Sequence, residues 1–403
     1  MPLFESLKHS SFALLWSGQA LSRLGDSVYR IALAWWVLER TGSASVMGTV
    51  FILSYTPMLV FALIGGVTVD RFSRVQVMFV ADLLRFFVLI AVSLLSFGQL
   101  LELWHVYVAS IVLGAIEAFF QPAYTAVVPD VVPHEAWVSA NSLTSLSKQL
   151  AKIVGPALSG SIVKWGSTPT AFAVNAGSFL VSAACLVPIL GISGPATRSG
   201  EASSVIHDLQ EGIRAVTRSP WLWITIAIVS LCNITQGGPY IVGLPFLVRD
   251  HLHADAGSLG LTYSMFAIGS LVATLAISHV ANLRRRGLIA YGALIISGLM
   301  TLALGLSSSI ASTFLISLIL GAVISVVTLI WINTLQDFVP RELLGRVVSI
   351  DNLVSYAFLP LSYGITGWAT DRIGPAMVFI VGGALTAALP VLGLTQRAVR
   401  QLD

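Results

Sequence analysis

Apolar runs of roughly 20 residues, each long enough to cross a bilayer as a helix, recur along the whole of this 403-residue chain. We count twelve of them, at 12–38, 46–69, 75–98, 104–128, 139–165, 168–191, 221–248, 256–280, 287–307, 311–339, 345–370 and 374–396. Lipid offers no water to bond backbone N–H and C=O groups, so each run must satisfy its own and is expected to be a helix. The alternating pattern of an outer-membrane barrel is absent. Only 10% of residues are charged, against about 25% in an ordinary soluble domain. A soluble fold this poor in charge would leave its surface uncovered. The sequence therefore predicts an all-α integral membrane protein of twelve transmembrane helices, the first an uncleaved span rather than a signal peptide.

The few charges are informative because of where they fall. A formal net charge of +3 is too small to point to nucleic acid. With the N-terminus inside, the cytoplasmic gaps hold Lys8, Arg71, Arg74, Arg198, Arg214, Arg218, Arg284, Arg285, Arg286, Arg341, Arg346, Arg397 and Arg400. The opposite side holds Arg40, Lys164, Arg249 and Arg372. Thirteen cations against four predict that both termini face the cytoplasm. Cys185 and Cys232 fall inside predicted spans with neither metal-ligand spacing nor a disulfide framework, and read as inert thiols. No metal site is expected. No convergent set of nucleophiles or ligands appears within the spans, which argues against a membrane-embedded enzyme.

The chain divides into a six-helix bundle at 1–191, a linker at 192–220 and a second six-helix bundle at 221–403. Within the linker, His207–Arg214 reads as a short amphipathic helix on the inner membrane surface. The halves look related. Asp130-Val131-Val132-Pro133-His134-Glu135 follows the fourth span and Asp337-Phe338-Val339-Pro340-Arg341-Glu342 follows the tenth, 207 residues apart (337 − 130). Gly160 and Gly367 keep that offset. Such duplicated halves suit a pseudo-symmetric, alternating-access transporter with its substrate near the midplane.

Several ionisable residues lie inside spans, where they are costly and mark function by default. Asp26 and Arg30 share one helix face at i,i+4. They form either a static pair or a proton site beside a group that engages an anionic or polar substrate. Glu117 and Lys148 both lie roughly 14–16 Å from the inner surface at 1.5 Å rise per residue. The two can pair, with Lys152 one turn deeper; if unpaired in one state, Glu117 is the second proton candidate. Asn233, Gln236, Asn333 and Gln336 either line a cavity or join helices by hydrogen bonds. Tyr124 is an aromatic candidate for stacking on a substrate ring, with lipid or interface packing as the alternative.

The loop between the second and third spans reads Gly66-x-x-x-Asp70-Arg71-x-x-Arg74, and this resembles the corresponding loop motif of the major facilitator superfamily. Ser73 stands where that family usually has glycine, and Val75 where a second basic residue is common. The loop at 278–286 occupies the equivalent place in the second half, but Asn282 replaces the aspartate. Gly155-Pro156-x-x-Ser159-Gly160 is similar to the family's antiporter motif. Phe12-x-x-Leu15-Trp16-x-Gly18-Gln19, Leu24-Gly25-Asp26, Thr41-Gly42-Ser43, Asp82-x-x-Arg85, Gln121-Pro122-Ala123-Tyr124 and Gly345-Arg346-Val347 resemble the branch holding macrolide-efflux proteins and the enterobactin exporter. The fourth span lacks the arginine that many proton-driven drug antiporters of the family carry.

The resemblance implies a two-bundle exporter of an amphipathic small molecule, of drug or siderophore type, working by proton-coupled antiport. The alternative within the same fold is a lipid or lysophospholipid flippase. The resemblance also implies that Asp70, Arg71 and Arg74 latch the halves near the start of the eleventh helix, where Arg346 and Asp351 lie as partners; the alternative is ordinary cytoplasmic topology charge. It places the first helix on the central cavity, which makes Asp26 the first choice for coupling. No cofactor beyond a proton gradient is expected. The expected partners are substrate and membrane lipid, with no nucleic acid, and the expected setting is a monomer in a bacterial cytoplasmic membrane.

Overall fold

The computed structural model describes residues 4–192, 205–277 and 285–400, with backbone only at Leu63, Val67, Asp70 and 205–209. The structure is helical, with no strand among the described residues. We number the long helices α1 (Ser10–Thr41), α2 (Ala44–Arg71), α3 (Arg74–Phe97), α4 (Leu103–Ala126), α5 (Trp137–Trp165) and α6 (Thr168–Leu186). They continue as α7 (Val205–Arg218), α8 (Pro220–His251), α9 (Ala256–Ile277), α10 (Arg286–Gly305) and α11 (Ile310–Phe338). The last are α12 (Arg341–Ala357), α13 (Leu359–Ile373) and α14 (Pro375–Leu394).

Local chemistry sets the ends. Ser73, Ser167 and Ser309 cap α3, α6 and α11 by accepting from Gln76 N, Thr170 N and Ser312 N, which satisfies donors that a helix start leaves open. Gly42 turns α1 into α2 at φ +61°, a conformation glycine adopts without steric cost. Pro360 follows the break at Phe358 and splits the predicted eleventh span into α12 and α13. A proline inside a helix would remove one hydrogen bond and clash with the preceding turn. α8 passes through three π-helical stretches, Asn233–Gly237, Pro239–Gly243 and Leu247–His251.

Nine helices among the described residues are long and apolar enough to cross a membrane. α1, α5 and the α12–α13 pair fall outside that set. α1 carries Arg23, Asp26 and Arg30, and α5 carries Lys148 and Lys152. Large apolar side chains such as Val60, Leu94 and Leu392 stand exposed along the spans, the surface that lipid requires.

The chain forms two compact units. The first comprises Met1–Thr41, Val50–Ser199 and Asp255–Ser264; the second comprises Gly42–Thr49, Gly200–Ala254 and Met265–Asp403. Lipid gives helices no hydrophobic reason to associate, so close approach at small residues matters. In the first unit a Cβ on Gly114 of α4 would collide with the Ser54 carbonyl of α2. In the second, a Cβ on Gly321 of α11 would collide with the Phe266 carbonyl of α9.

Each unit also carries one arginine–aspartate tie at a helix start. Arg74 Nη1, at the head of α3, lies 2.8 Å from Asp130 Oδ1. Arg286, at the head of α10, pairs with Asp337. The repeated D-x-V-P-x-E segments thus each give their aspartate to such an arginine. Residues 193–204, 278–284 and 401–403 lie outside the described residues, as do parts of the linker and the second-half loop. The expected amphipathic helix falls within α7. Its Val216 packs with Leu222, Leu335, Val339, Val347 and Ile350 of the second unit, so it is seated on protein as well as at the predicted membrane edge.

Candidate functional site

α1, α3, α4 and α6 of the first unit pack together around a cluster of polar groups. Asp82 of α3 is fully buried. Its Oδ2 accepts from Ser182 Oγ at 2.7 Å and from Gln19 Nε2 at 3.2 Å. Arg85, 4% exposed, places Nη1 3.7 Å from Asp82 Oδ1 and pairs through Nη2 with Glu117 of α4. Gln121 Nε2 donates to the other Glu117 oxygen. The Arg85 guanidinium also lies over Phe120 at 4.2 Å and Phe179 at 5.2 Å. One arginine therefore serves two carboxylates while aromatic faces screen it from lipid, as an intramembrane charge requires.

Glu117 thus pairs with Arg85, not with Lys148. Rise along a helix bears on depth alone, whereas azimuth decides which side chains meet. Asp26 of α1 lies beside Asn175 of α6 and within Coulombic reach of Arg85, Glu117 and Arg30. The Asn175 amide nitrogen is buried without a hydrogen bond of ordinary geometry, leaving a donor next to the Asp26 carboxylate.

The remaining first-unit candidates form a basic strip. Arg23 lies over the Tyr124 ring at 4.6 Å, and Lys148 lies over the same ring at 5.7 Å. Tyr124 is only 6% exposed and stacks on Phe120. It supports two cations rather than offering a face to a substrate ring. The antiporter-motif residues bring α1 and α5 together: a Cβ on Gly155 would strike Ser27, and Ser159 Oγ donates to Val28 O at 2.7 Å. Pro156 is buried beside Gly155. Gly160 admits the first turn of α9, because a Cβ there would meet the Ala256 carbonyl.

In the second unit, Gln236 donates to Thr301 Oγ1 at 2.6 Å and to Ser297 O at 3.2 Å. It joins α8 to α10. Asn233 is half-buried, and Asn333 and Gln336 are exposed. Two predicted latch partners are engaged within their own unit. Arg346 Nη1 lies 2.8 Å from Glu211 Oε2 of α7, and Asp351 Oδ2 accepts from Trp331 Nε1 at 2.8 Å. Arg74 bonds Asp130 and the Ala126 carbonyl, Arg71 is exposed, and Gly66 faces open space. The Asp70 side chain lies outside the described residues.

Two acids hold helix starts. Asp371 of α13 accepts from Ala44 N at 2.7 Å, Ser43 Oγ at 2.9 Å and Ser45 N at 3.0 Å. Gly367, one turn earlier, admits the Ala44 carbonyl. Asp255 accepts from Ser258 N and Oγ at 2.9 Å and pairs with Lys164 Nζ at 2.8 Å. The Lys164 ammonium, helped by Ser258, holds the Asp255 carboxyl down to about 2. A depressed folded-state pKa gives stability that is complete above the unfolded value of about 3.9 and is lost as pH falls through the folded one. Asp255→Asn keeps the cap and removes the charge. It should cost about 0.2–1 kcal/mol, the scale of an exposed pair, at pH 7. The melting-temperature gap between it and the wild type should narrow only below pH ~4.

Sequence reasoning missed Asp82, Arg85, Gln19, Ser182 and Arg23 as site residues. The signal was present: Asp82 and Arg85 stand at i,i+3 inside a span whose other residues are mostly apolar.

Helices apolar enough to cross a membrane thus enclose a buried network in which one arginine serves two carboxylates. The chain belongs to the Major Facilitator Superfamily, whose profile matches residues 15–362. It is 24% identical to macrolide efflux protein A of Streptococcus pyogenes over 397 residues, covering 97% of each chain. It is 27% identical to multidrug efflux pump Tap of Mycolicibacterium fortuitum over 391 residues, covering 94% of each. Among solved structures, the nucleoside transporter NupG superposes at TM-score 0.81 with 9% identity, over 96% of this chain and 99% of that one. A bacterial homologue of the iron transporter ferroportin, inward-facing, superposes at 0.72 with 17% identity, over 96% and 99%.

Proposed function

We propose that the protein exports an amphipathic small molecule by alternating access, driven by inward proton movement. The observation that carries this reading is the set of three carboxylates, Asp26, Asp82 and Glu117, gathered around Arg85 inside the spans of one unit. Carboxylates that share one cation at membrane depth can exchange it as protons come and go. The direction rests on the relatives named for macrolide and multidrug efflux.

The machine is two pseudo-symmetric six-helix bundles, 1–191 and 221–403, joined by the 192–220 segment. In support, Gly114 and Gly321, Asp130 and Asp337, and Gly160 and Gly367 each stand 207 residues apart (321 − 114, 337 − 130, 367 − 160) in matching contacts. The charge asymmetry supports an orientation with both termini inside, and the bacterial relatives support a bacterial cytoplasmic membrane. Asp70, Arg71 and Arg74 are assigned to gating.

Expression in cells stripped of their own efflux pumps should lower accumulation of an exported drug, and a proton uncoupler should restore it. Accumulation lowered equally with and without the uncoupler would remove proton coupling. No change for any compound across a broad panel would remove export.

A further inference from the structure

The first unit holds more positive charge than its own acids can match. Within the middle turns of α1, α3, α4 and α5 stand five cations, Arg23, Arg30, Arg85, Lys148 and Lys152, against three carboxylates, Asp26, Asp82 and Glu117. Arg85 takes Asp82 and Glu117 for itself. Arg23, Lys148 and Lys152 make no ion pair with these acids, and Arg30 lies in the field of Asp26 and Tyr263.

These four are brought together by packing. Arg23 and Arg30 lie two turns apart on one face of α1, and Lys148 and Lys152 lie one turn apart on one face of α5. The helices are tied by Trp16 Nε1 to Ser147 Oγ at 2.7 Å on one side of the strip and by Ser159 Oγ to Val28 O on the other. Gly155, three residues past Lys152, lets α5 close on Ser27, midway between Arg23 and Arg30. Lys148 consequently feels Arg23 and Lys152, and Lys152 feels Arg30 and Arg23.

Like charges held this close repel, and at membrane depth the repulsion is poorly screened. Yet Lys148 and Lys152 are exposed rather than folded onto acids, and Arg23 keeps Nε and Nη2 buried without a hydrogen-bond acceptor. Tyr124 steadies Arg23 and Lys148 from behind. Arg23, Lys148 and Lys152 are a preformed set of donors without an acid to accept from them.

We propose that this strip binds an anionic group, a carboxylate, sulfonate or phosphate carried on an otherwise apolar molecule. The inference rests on the transport reading above and narrows its substrate class to amphipathic anions. An anion adds acceptors for Arg23, Lys148 and Lys152 and cancels the excess charge. A cationic amphiphile would meet repulsion from the same groups.

The test uses three matched fluorophores, dansylglycine (anionic), dansylamide (neutral) and dansylcadaverine (cationic), with the purified protein in phosphatidylcholine nanodiscs. Dansylglycine should bind saturably and about tenfold or more tighter than dansylamide, the scale of one charge-assisted hydrogen bond. Replacing both lysines, Lys148→Gln with Lys152→Gln, should abolish that preference and leave dansylamide binding unchanged. Lys148→Arg with Lys152→Arg should retain it. Absent dansylglycine binding, equal or tighter binding of the neutral or cationic probe, or equal loss of all three in the glutamine variant would each overturn the inference.

Adding phosphatidylglycerol to the nanodiscs separates two sources of the anion. Displacement of dansylglycine identifies a lipid headgroup as the occupant, and undiminished binding identifies a soluble amphiphile. Efflux of the three probes from cells is scored independently. Energised efflux without charge preference would leave export standing and remove this inference. Charge-selective binding without efflux would do the reverse.

Discussion

Arg85→Met should abolish transport and sharply lower the thermal stability of the purified protein. Arg85 is the cation shared by Asp82 and Glu117, so removing it strands the fully buried Asp82 carboxylate and leaves the partly exposed Glu117 without its cation. Breaking a buried pair in this way costs about 3–5 kcal/mol. Arg85→Met combined with Asp82→Asn and Glu117→Gln should recover much of the melting temperature, because no charge is stranded, while transport stays lost. Melting curves in detergent and efflux assays read the two effects separately. A single variant as stable and active as the wild type would show that the network is neither structural nor functional.

Asp26→Asn should eliminate proton release on adding substrate while changing substrate affinity only slightly. Asp26 is not tied into the Arg85–Glu117 pair, and it sits next to the Asn175 amide and within the field of Arg85 and Arg30. Protonating it would shift the attraction of those arginines, and linkage requires that substrate in turn shift its proton affinity. Glu117→Gln should retain release, since Arg85 and Gln121 hold that carboxylate. The measurement is the pH change in a weakly buffered detergent solution on adding a substrate found by the accumulation assay. Wild-type release from Asp26→Asn with none from Glu117→Gln would move the coupling site to Glu117.

The sequence by itself determined the helical membrane class and located the nine helices among the described residues that are long and apolar enough to cross a membrane. These follow from a local cause: a bilayer forces each apolar run to bond its own backbone. It also exposed the costly residues, because Asp26, Arg30, Glu117, Lys148 and Lys152 stand out in an oily background. Side-chain partners were decided only by tertiary structure. Spacing along one helix fixes depth and face, but a pair across two helices depends on their relative rotation and on which neighbours crowd the contact. That is why Glu117 met Arg85 rather than Lys148, and why Gln236 turned to α10. It is also why Tyr124 became a support for Arg23 and Lys148. The break at Phe358 has a local cause in Pro360, whereas the tie from Asp371 to the start of α2 does not. It joins residues more than 300 positions apart, and only the packing of Gly367 against Ala44 brings them within bonding distance.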